Sequence, residues 1–140
     1  FHLMFGLILW SALSGCAALS PEQTAAAADQ NAAVRAPDRC VAEAEAFRDG
    51  DYRKLSQRFT AEFAERLNAE RFAALQQELA RQGKITEMRF LDTMNRKIYS
   101  TAIWKLVLKN PESGETMERL LEIMVGNTDG APHVIALSVQ

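Results

Sequence analysis

The sequence has few of the residues that most often build catalytic or metal centres. It holds two cysteines and two histidines in 140 residues, and beyond residue 16 only Cys40 and His133 remain. A structural zinc site usually takes four Cys or His ligands, so these two residues cannot form one. The glycines after residue 16 stand singly, which leaves no glycine-rich loop for a phosphate. The sequence therefore predicts no metal and no cofactor.

Charge of one sign is not concentrated anywhere along the chain. Sixteen Lys and Arg residues are set against 18 Asp and Glu residues, for a formal net charge of −2. The basic residues are dispersed among acidic ones, whereas a nucleic-acid-binding surface groups Lys and Arg on one face or stripe. We expect no nucleic-acid partner.

The sequence also lacks an apolar run long enough to span a membrane. The longest runs from Leu3 to Leu13, whereas a membrane-spanning helix needs about 20 apolar residues. This length suits the apolar region of a signal peptide, although only His2 precedes it where Lys or Arg is usual. Leu13-Ser14-Gly15-Cys16 follows and matches the lipobox of bacterial lipoproteins. We expect a signal peptide over residues 1–15 and a lipid on Cys16; the alternatives are an ordinary secretory signal or a short buried helix.

Resemblance to bacterial lipoproteins implies how Cys16 is modified. Such proteins carry a diacylglyceryl thioether and an N-acyl chain such as palmitate, which together anchor far better than one chain at about 0.8 kcal/mol per methylene. Ala17 follows the cysteine, which by the same resemblance indicates the outer membrane, facing the periplasm, in a Gram-negative cell. The predicted location is the bacterial cell envelope. Cys40 is then left without an intramolecular disulfide partner, and we expect it to be a buried helix residue.

Beyond the signal peptide the chain divides into a tether and one domain. Residues 16–37 hold the lipidated cysteine and a stretch rich in Ala, Gln, Asp and Asn, with little to bury. Residues 38–140 begin with amphipathic helical patterns and capping residues. The predicted helices run from an N-cap at Asp38 to about Arg48, from Asp51 to Arg58, from Ala61 to Leu67 after Thr60, and from Asn68 through Gln82.

After Gly83 the hydrophobic period changes from 3.6 to 2. Strands are predicted at Ile85–Thr93, Arg96–Lys109, Glu115–Val125 and His133–Val139, with turn residues between the last three at Asn110–Gly114 and Asn127–Gly130. Helices followed by a strand meander predict an α+β domain. Its N-terminal helices should pack on one face of a curved antiparallel sheet of about four strands.

Several stretches carry a resemblance to a known fold. They are the Ala-Phe-Arg-Asp-Gly-Asp-Tyr stretch, the Phe-rich short helices after it, the Trp104–Leu108 strand and the ending Ile135–Gln140. Together they resemble the nuclear transport factor two-like fold, also called SnoaL-like or cystatin-like, which is found in uncharacterised families of small bacterial lipoproteins. The resemblance covers residues 38–140 and implies a cone-like domain. Because the fold hosts isomerases, dehydratases, cyclases and non-catalytic modules, it does not choose a function.

The turns predict a strand register and hence two apolar faces. Pairing Lys109 with Glu115 and Gly126 with Pro132 places Ile103, Leu121, Ile123, Ile135, Leu137 and Val139 against the helices. The outer face then holds Trp104, Leu106, Leu120, Met124, Val134 and Ala136; a slip of one residue would exchange the two sets. An exposed apolar face indicates an interface, and the resemblance implies dimers formed through it. We expect a homodimer, unless the helices or the tether cover that face.

The same register places three polar residues where a pocket would lie. Tyr99 and His133 fall side by side at one end of the sheet, and Asp92 lies on the neighbouring strand. A tyrosine hydroxyl can stabilise an oxyanion while His or Asp moves a proton. All three residues are also ordinary at a partly exposed sheet end, and no carboxylate is placed at the sheet centre as a general base.

The sequence thus predicts a lipid-anchored envelope protein with a non-catalytic binding or interaction domain rather than an enzyme. The phenylalanines after residue 46 are numerous enough to fill a small cone. The alternative is a pocket protein for a small apolar ligand, or a lyase or isomerase that uses Tyr99 and His133. In either case an envelope protein is a possible partner.

Overall fold

The computed structural model describes residues 37–128 and 130–140. The predicted signal peptide, Cys16 and the tether up to residue 36 lie outside the described residues. A helical half comes first and a four-stranded antiparallel sheet follows, so the predicted α+β class is confirmed. Within the described part of the chain, no helix is both long enough and apolar enough to cross a bilayer.

The helical half contains four α-helices and two 3-10 turns. These are α1 Val41–Asp49, α2 Tyr52–Leu55, α3 Ala61–Arg66 and α4 Ala69–Gln82, with turns at Pro37–Cys40 and Ser56–Arg58. The predicted caps Thr60 and Asn68 are confirmed, because their side-chain oxygens accept hydrogen bonds from backbone N–H groups at the start of α3 and α4. Asp38 was predicted to cap α1, but Cys40 takes that position without a side-chain capping bond.

A continuous row of aromatic rings joins the helices. Phe47 of α1 meets Phe72 of α4 at 5.9 Å between ring centroids, and Phe72 meets Tyr52 at 5.6 Å. Tyr52 contacts Phe59 at 6.1 Å, which contacts Phe63 at 4.6 Å. The Tyr52 hydroxyl also donates to the backbone oxygen of Leu67 at 2.6 Å. Edge-on and tilted pairs stabilise a core beyond their buried area, so these rings hold the short helices together.

The sheet consists of β1 Lys84–Asn95, β2 Tyr99–Lys109, β3 Thr116–Thr128 and β4 Ala131–Val139, in that spatial order. The helices cover one face. The buried apolar strand residues on that face are Ala102, Trp104, Leu106, Leu108, Leu121, Ile123, Val125 and Val134. Because strand side chains alternate between faces, the residues between them lie on the opposite face, here called the open face.

The predicted register of the β2–β3 hairpin is wrong by one residue. Lys109 pairs with Thr116 rather than with Glu115. The cause lies in Asn110, whose side-chain oxygen accepts hydrogen bonds from the backbone N–H groups of Glu112 and Ser113. The Asn110 backbone N–H also donates to the Glu115 oxygen at 2.8 Å, so Asn110 is the last paired residue and the loop is one residue shorter than predicted.

The β3–β4 register also differs, and a bulge then shifts it again. Gly126 pairs with His133 rather than Pro132, since pairing continues to Thr128 and Ala131. An irregularity beside Val125 and Val134 follows, after which Ile123 lies opposite Leu137. Leu121, Ile123, Leu137 and Val139 therefore belong to the helix-facing set, as predicted.

The one-residue shift overturns part of the predicted outer face. Trp104, Leu106 and Val134 were assigned to it, but all three are buried against the helices. Ile103 was assigned to the helix side and instead lies between the buried Ala102 and Trp104, on the open face. Leu120 and Met124 do lie on the open face, where both are partly exposed.

Candidate functional site

The open face carries an apolar centre on its inner strands. Ile103 and Val107 on β2 and Leu120 and Met124 on β3 are all partly exposed, and Ala136 of β4 continues the patch. No α-helix is predicted or observed on this side within residues 37–128 and 130–140. Partly exposed aliphatic side chains grouped on one sheet face are typical of an interaction surface.

Charged side chains alternate with these apolar ones: Lys105 lies between Ile103 and Val107 on β2, and Glu122 lies between Leu120 and Met124 on β3. Lys105 Nζ lies 3.1 Å from Glu118 Oε1 on the neighbouring strand, and Arg89 of β1 lies opposite Lys105. Glu122 of β3 accepts hydrogen bonds from Ser138 Oγ at 3.4 Å and from Gln140 Nε2 at 3.2 Å. Both signs are therefore present among the apolar side chains, so the open face can offer both apolar area and charged partners to another surface.

A shallow depression lies at one end of the open face, and it is the candidate ligand pocket considered for that side. Its volume is about 160 Å³, and it is lined by Met94, Arg96, Tyr99, Thr101, Glu122, Met124, Ala136, Leu137 and Ser138. Sites for drug-sized ligands usually span about 300–1,000 Å³. The depression is thus large enough for a few water molecules or a protruding side chain.

The three predicted pocket residues are not brought together. Tyr99 and His133 both lie opposite Gly126, one on each side, so their Cα atoms are about 10 Å apart by strand spacing. His133 Nδ1 instead pairs with the Ala131 backbone oxygen at 3.0 Å. Asp92 is opposite Ile103, four residues along β2 from Tyr99, and its carboxylate accepts from the Thr93 N–H. Only Tyr99 lines the depression.

A buried ion pair lies inside the helical half, on the other side of the sheet from the depression. Glu43 of α1 is buried and its carboxylate forms an ion pair with Arg58, whose side chain is 36% exposed. Sequence reasoning missed this pair, although Glu43 precedes the core residue Phe47 by one helical turn and so shares its face. The pair joins α1 to the turn before α3 and shows no opening towards the depression on the open face.

Cys40 is chemically protected beside that ion pair. The residue is fully buried, as the sequence predicts, and burial raises the pKa of its thiol to about 11, against a smaller opposing effect of the Arg58 charge. The thiolate is the reactive form of cysteine. At neutral pH Cys40 is therefore a protonated, unreactive core residue.

The described residues offer no metal site. Across residues 37–128 and 130–140, no three His, Cys, Asp or Glu side chains are grouped so as to hold a metal ion. The arrangement on the open face can bury apolar surface and exchange hydrogen bonds at its rim. It does not assemble a nucleophile, a base and an oxyanion donor.

Comparison with known proteins agrees with this architecture. No protein-family model and no curated protein matches the chain. Among solved structures, it is similar to a SEC-C motif-containing protein from Rhodopseudomonas palustris, at 11% identity and a TM-score of 0.55, covering 76% of this chain and 79% of that one. At this identity the likeness shows a shared fold and nothing more.

Two further similar structures are described as NTF2-like, that is, nuclear transport factor two-like. One is a candidate NTF2-like transpeptidase from Campylobacter jejuni, with 9% identity, a TM-score of 0.48, and coverage of 67% of this chain and 91% of that one. The other is an NTF2-like protein of unknown function from Shewanella oneidensis, with 16% identity, a TM-score of 0.45, and coverage of 72% and 92%. The chain itself has helices followed by a four-stranded antiparallel sheet, which is an NTF2-like arrangement.

Proposed function

We propose that this protein is a lipid-anchored component of the bacterial cell envelope whose domain is a non-catalytic interaction module. Its partner at the open face is a second copy of the same chain. The observation that supports the proposal is the group of partly exposed apolar side chains Ile103, Val107, Leu120 and Met124 on the open face, with Lys105 and Glu122 between them. Anchoring rests on the lipobox ending at Cys16.

The size of the open face fits a dimer. Four strands of about 11 residues form a surface about 19 Å wide and 36 Å long, or about 700 Å². Stable complexes bury about 800 Å² per partner, so an open face packed on its copy reaches the usual range. The contact would be isologous, with the apolar side chains of the two copies packing together and the interspersed Lys105 and Glu122 pairing across the two-fold axis.

The filled helix–sheet core supports a binding role over catalysis. Phe47 and Leu55 are fully buried, and Phe72 and Trp104 nearly so, which occupies the space where catalytic members of this fold would hold a substrate. The predicted polar trio is dispersed, as described above. A small-ligand role remains the second candidate. It is favoured by the depression beside Tyr99, whose volume of about 160 Å³ suits a small group better than an extended ligand.

Replacing Leu120 by lysine should abolish the dimer while leaving the fold intact. The change replaces an apolar contact by a charged side chain where the two copies would meet, directly opposite Lys105, and Leu120 points away from the helices, so the apolar core is unaffected. Sedimentation velocity on residues 17–140 measures the effect, and a shift from dimer to monomer at unchanged circular dichroism is expected.

The matched control is Glu65→Lys, which introduces the same residue on the exposed surface of α3. This variant should sediment as the parent protein does. A parent protein that is monomeric across the accessible concentration range, or a Leu120→Lys variant that remains a dimer, would refute the open-face interface. Copurification of a small molecule with the parent protein, detected by native mass spectrometry, would favour the ligand-binding candidate.

Membrane attachment is tested separately, with the full chain expressed behind a start codon in a Gram-negative host. The parent protein should fractionate with membranes and carry the mass of three acyl chains on a chain that begins at Cys16. A Cys16→Ser variant should lose both the lipid mass and the membrane fraction, because no thiol remains for the thioether. A Cys40→Ser variant should keep both, since Cys40 is buried in the folded domain. An unmodified Cys16 in membrane-extracted protein would contradict the proposal.

A further inference from the structure

The two edge strands of the sheet differ in how they are protected from pairing. The β1 edge carries charged side chains at Lys84, Glu87, Arg89 and Asp92, and its pairing with β2 is interrupted by two irregularities. Charges and bulges are the usual means by which proteins prevent an edge strand from adding another strand. β4 holds no Lys, Arg, Asp or Glu between Ala131 and Gln140.

The first half of β4 is nevertheless covered. The backbone N–H of Thr60 donates to the Val134 oxygen at 3.1 Å, and Phe59 forms a parallel bridge with Val134. Pro132 has no N–H to offer, and the irregularity beside Val134 bends the strand. Among residues 37–128 and 130–140, no backbone segment bonds to the outer side of the stretch from Ala136 to Gln140, which is also uncharged.

The hydrogen-bond pattern shows which backbone groups of this stretch point away from the sheet. Leu120 and Gln140 exchange both N–H···O bonds, at 2.8 and 2.9 Å. Because bonded and non-bonded pairs alternate in an antiparallel ladder, Ser138 and Ala136 are also bonded to β3. The N–H and C=O groups of Leu137 and Val139 consequently point outwards along the edge.

We propose that this edge pairs with the same edge of a second copy, antiparallel and around a two-fold axis at Ser138. Leu137 of each copy then lies opposite Val139 of the other, and the four outward N–H groups meet four outward oxygens. Leu137 and Val139 also form apolar cross-strand pairs on the helix side, while the two Ser138 side chains meet on the open face. Self-pairing brings each residue near the axis close to its own copy, so it requires an uncharged strand such as this one.

The nearest charges and the covering segment are compatible with this arrangement. The two Glu122 side chains would lie three strand spacings apart, about 14 Å, which is beyond the Debye length of about 8 Å at physiological salt. In this register Val134 falls outside the paired stretch, and so does the Phe59–Thr60 segment that covers it. Neither charge repulsion nor the covering segment opposes the pairing.

The edge contact is separate from the open-face dimer and adds to it. A chain with two distinct isologous contacts can join dimers into longer rows. The paired stretch is only about five residues long, so its buried area falls below the standard size for a stable interface. The contact therefore forms most readily when the proteins are held on one membrane, because tethering raises their effective concentration to about the millimolar range. Its geometry does not depend on how the protein is anchored.

Disulfide trapping tests the proposal. Ser138 would form a non-hydrogen-bonded pair with its copy, with Cα atoms about 4.5–5.5 Å apart, a distance that a disulfide spans. Residues 17–140 with an N-terminal histidine tag are bound to phosphatidylcholine vesicles containing a nickel-chelating lipid, which removes any dependence on Cys16. After oxidation, the Ser138→Cys variant should give disulfide-linked dimer on a non-reducing gel. Arg89→Cys, also exposed and on the β1 edge, is the matched control; both cysteine variants are made in the Leu120→Lys background, so that the open-face dimer does not bring the copies together, and the control should give at least tenfold less.

A second substitution separates edge pairing from chance collision. Val139→Pro removes an outward N–H without breaking a bond to β3, so it deletes two of the four bonds between copies and should lower trapping about tenfold. Val139→Thr keeps the N–H and should retain trapping. Because Leu120→Lys is present throughout, trapping distinguishes the edge from the open-face dimer. Trapping of Ser138→Cys no stronger than Arg89→Cys, or unaffected by Val139→Pro, would overturn the proposal.

Discussion

Replacing Trp104 by alanine should lower the free energy of unfolding by about 3–5 kcal/mol, the usual cost of removing a buried aromatic side chain. Trp104 is only 7% exposed and packs edge-on against Phe90 at 5.4 Å between centroids. Its indole N–H also donates to the Arg39 backbone oxygen at 2.9 Å, which ties the start of the domain to the centre of the sheet. Urea denaturation of residues 17–140, followed by circular dichroism, measures the loss.

Two further variants distinguish the contribution of the Trp104 ring contacts from that of its hydrogen bond, and a helix-facing position from a neighbouring position on the open face. Trp104→Phe keeps most of the ring contacts and leaves the Arg39 oxygen without this donor, so a loss of about 1 kcal/mol is expected. Ile103→Ala, the next residue on the open face, should cost less than Trp104→Ala because its side chain is already partly exposed in the monomer. If Trp104→Ala changed the dimer but not the stability, the burial of Trp104 in the domain core would be contradicted.

Arg58→Ala should be the most damaging substitution among the polar residues of the helical half, at about 3 kcal/mol. Removing the guanidinium leaves the Glu43 carboxylate buried among α1 core residues without its opposite charge. A buried ion pair contributes little when both partners are present, whereas a single remaining charge bears its whole desolvation cost. The midpoint of urea unfolding at neutral pH gives the difference.

A double variant and a surface control make this test specific. Glu43→Met with Arg58→Met replaces both charges by apolar side chains and should recover most of the stability lost by Arg58→Ala. Arg66→Ala removes an arginine from the exposed pair with Glu62 and should change stability little, since both side chains remain largely in water. A double variant as unstable as Arg58→Ala would show that the ion pair itself, rather than the uncompensated carboxylate, determines the effect.

The fold could be predicted because its signals are local. Capping at Thr60 and Asn68 follows from a side-chain oxygen that reaches an N–H three residues ahead, and such a contact can be recognised within four residues of sequence. The change of hydrophobic period after Gly83 marks the boundary between helices and strands in the same way. Element order and class therefore followed from short stretches of sequence.

The composition of the open face could be predicted only in part, because it depends on register. The hydrogen bonds that Asn110 accepts shift β3 by one residue along β2 relative to the prediction. Because of this shift, Trp104 lies on the helix side and Ile103 on the open face, the reverse of what was predicted. Leu137 and Val139 were assigned correctly because the bulge beside Val134 adds a second one-residue shift, and a total shift of two residues returns the side chains to the predicted face. The Glu43–Arg58 pair joins two helical segments, and no sequence pattern specifies which arginine lies near a buried carboxylate.

The meander topology has a consequence for the order in which the chain acquires its structure. Each strand pairs with its neighbour in sequence, so the sheet can form quickly from local hairpins. The helical half can pack on the sheet only later, because the hydrogen bond from the Trp104 indole N–H to the Arg39 backbone oxygen joins residues that are 65 positions apart. On a chain that emerges N-terminus first, the row of rings from Phe47 to Phe63 is exposed before any strand is there to cover it. During that interval the nascent helical half is the part of the protein most exposed to aggregation and to proteolysis.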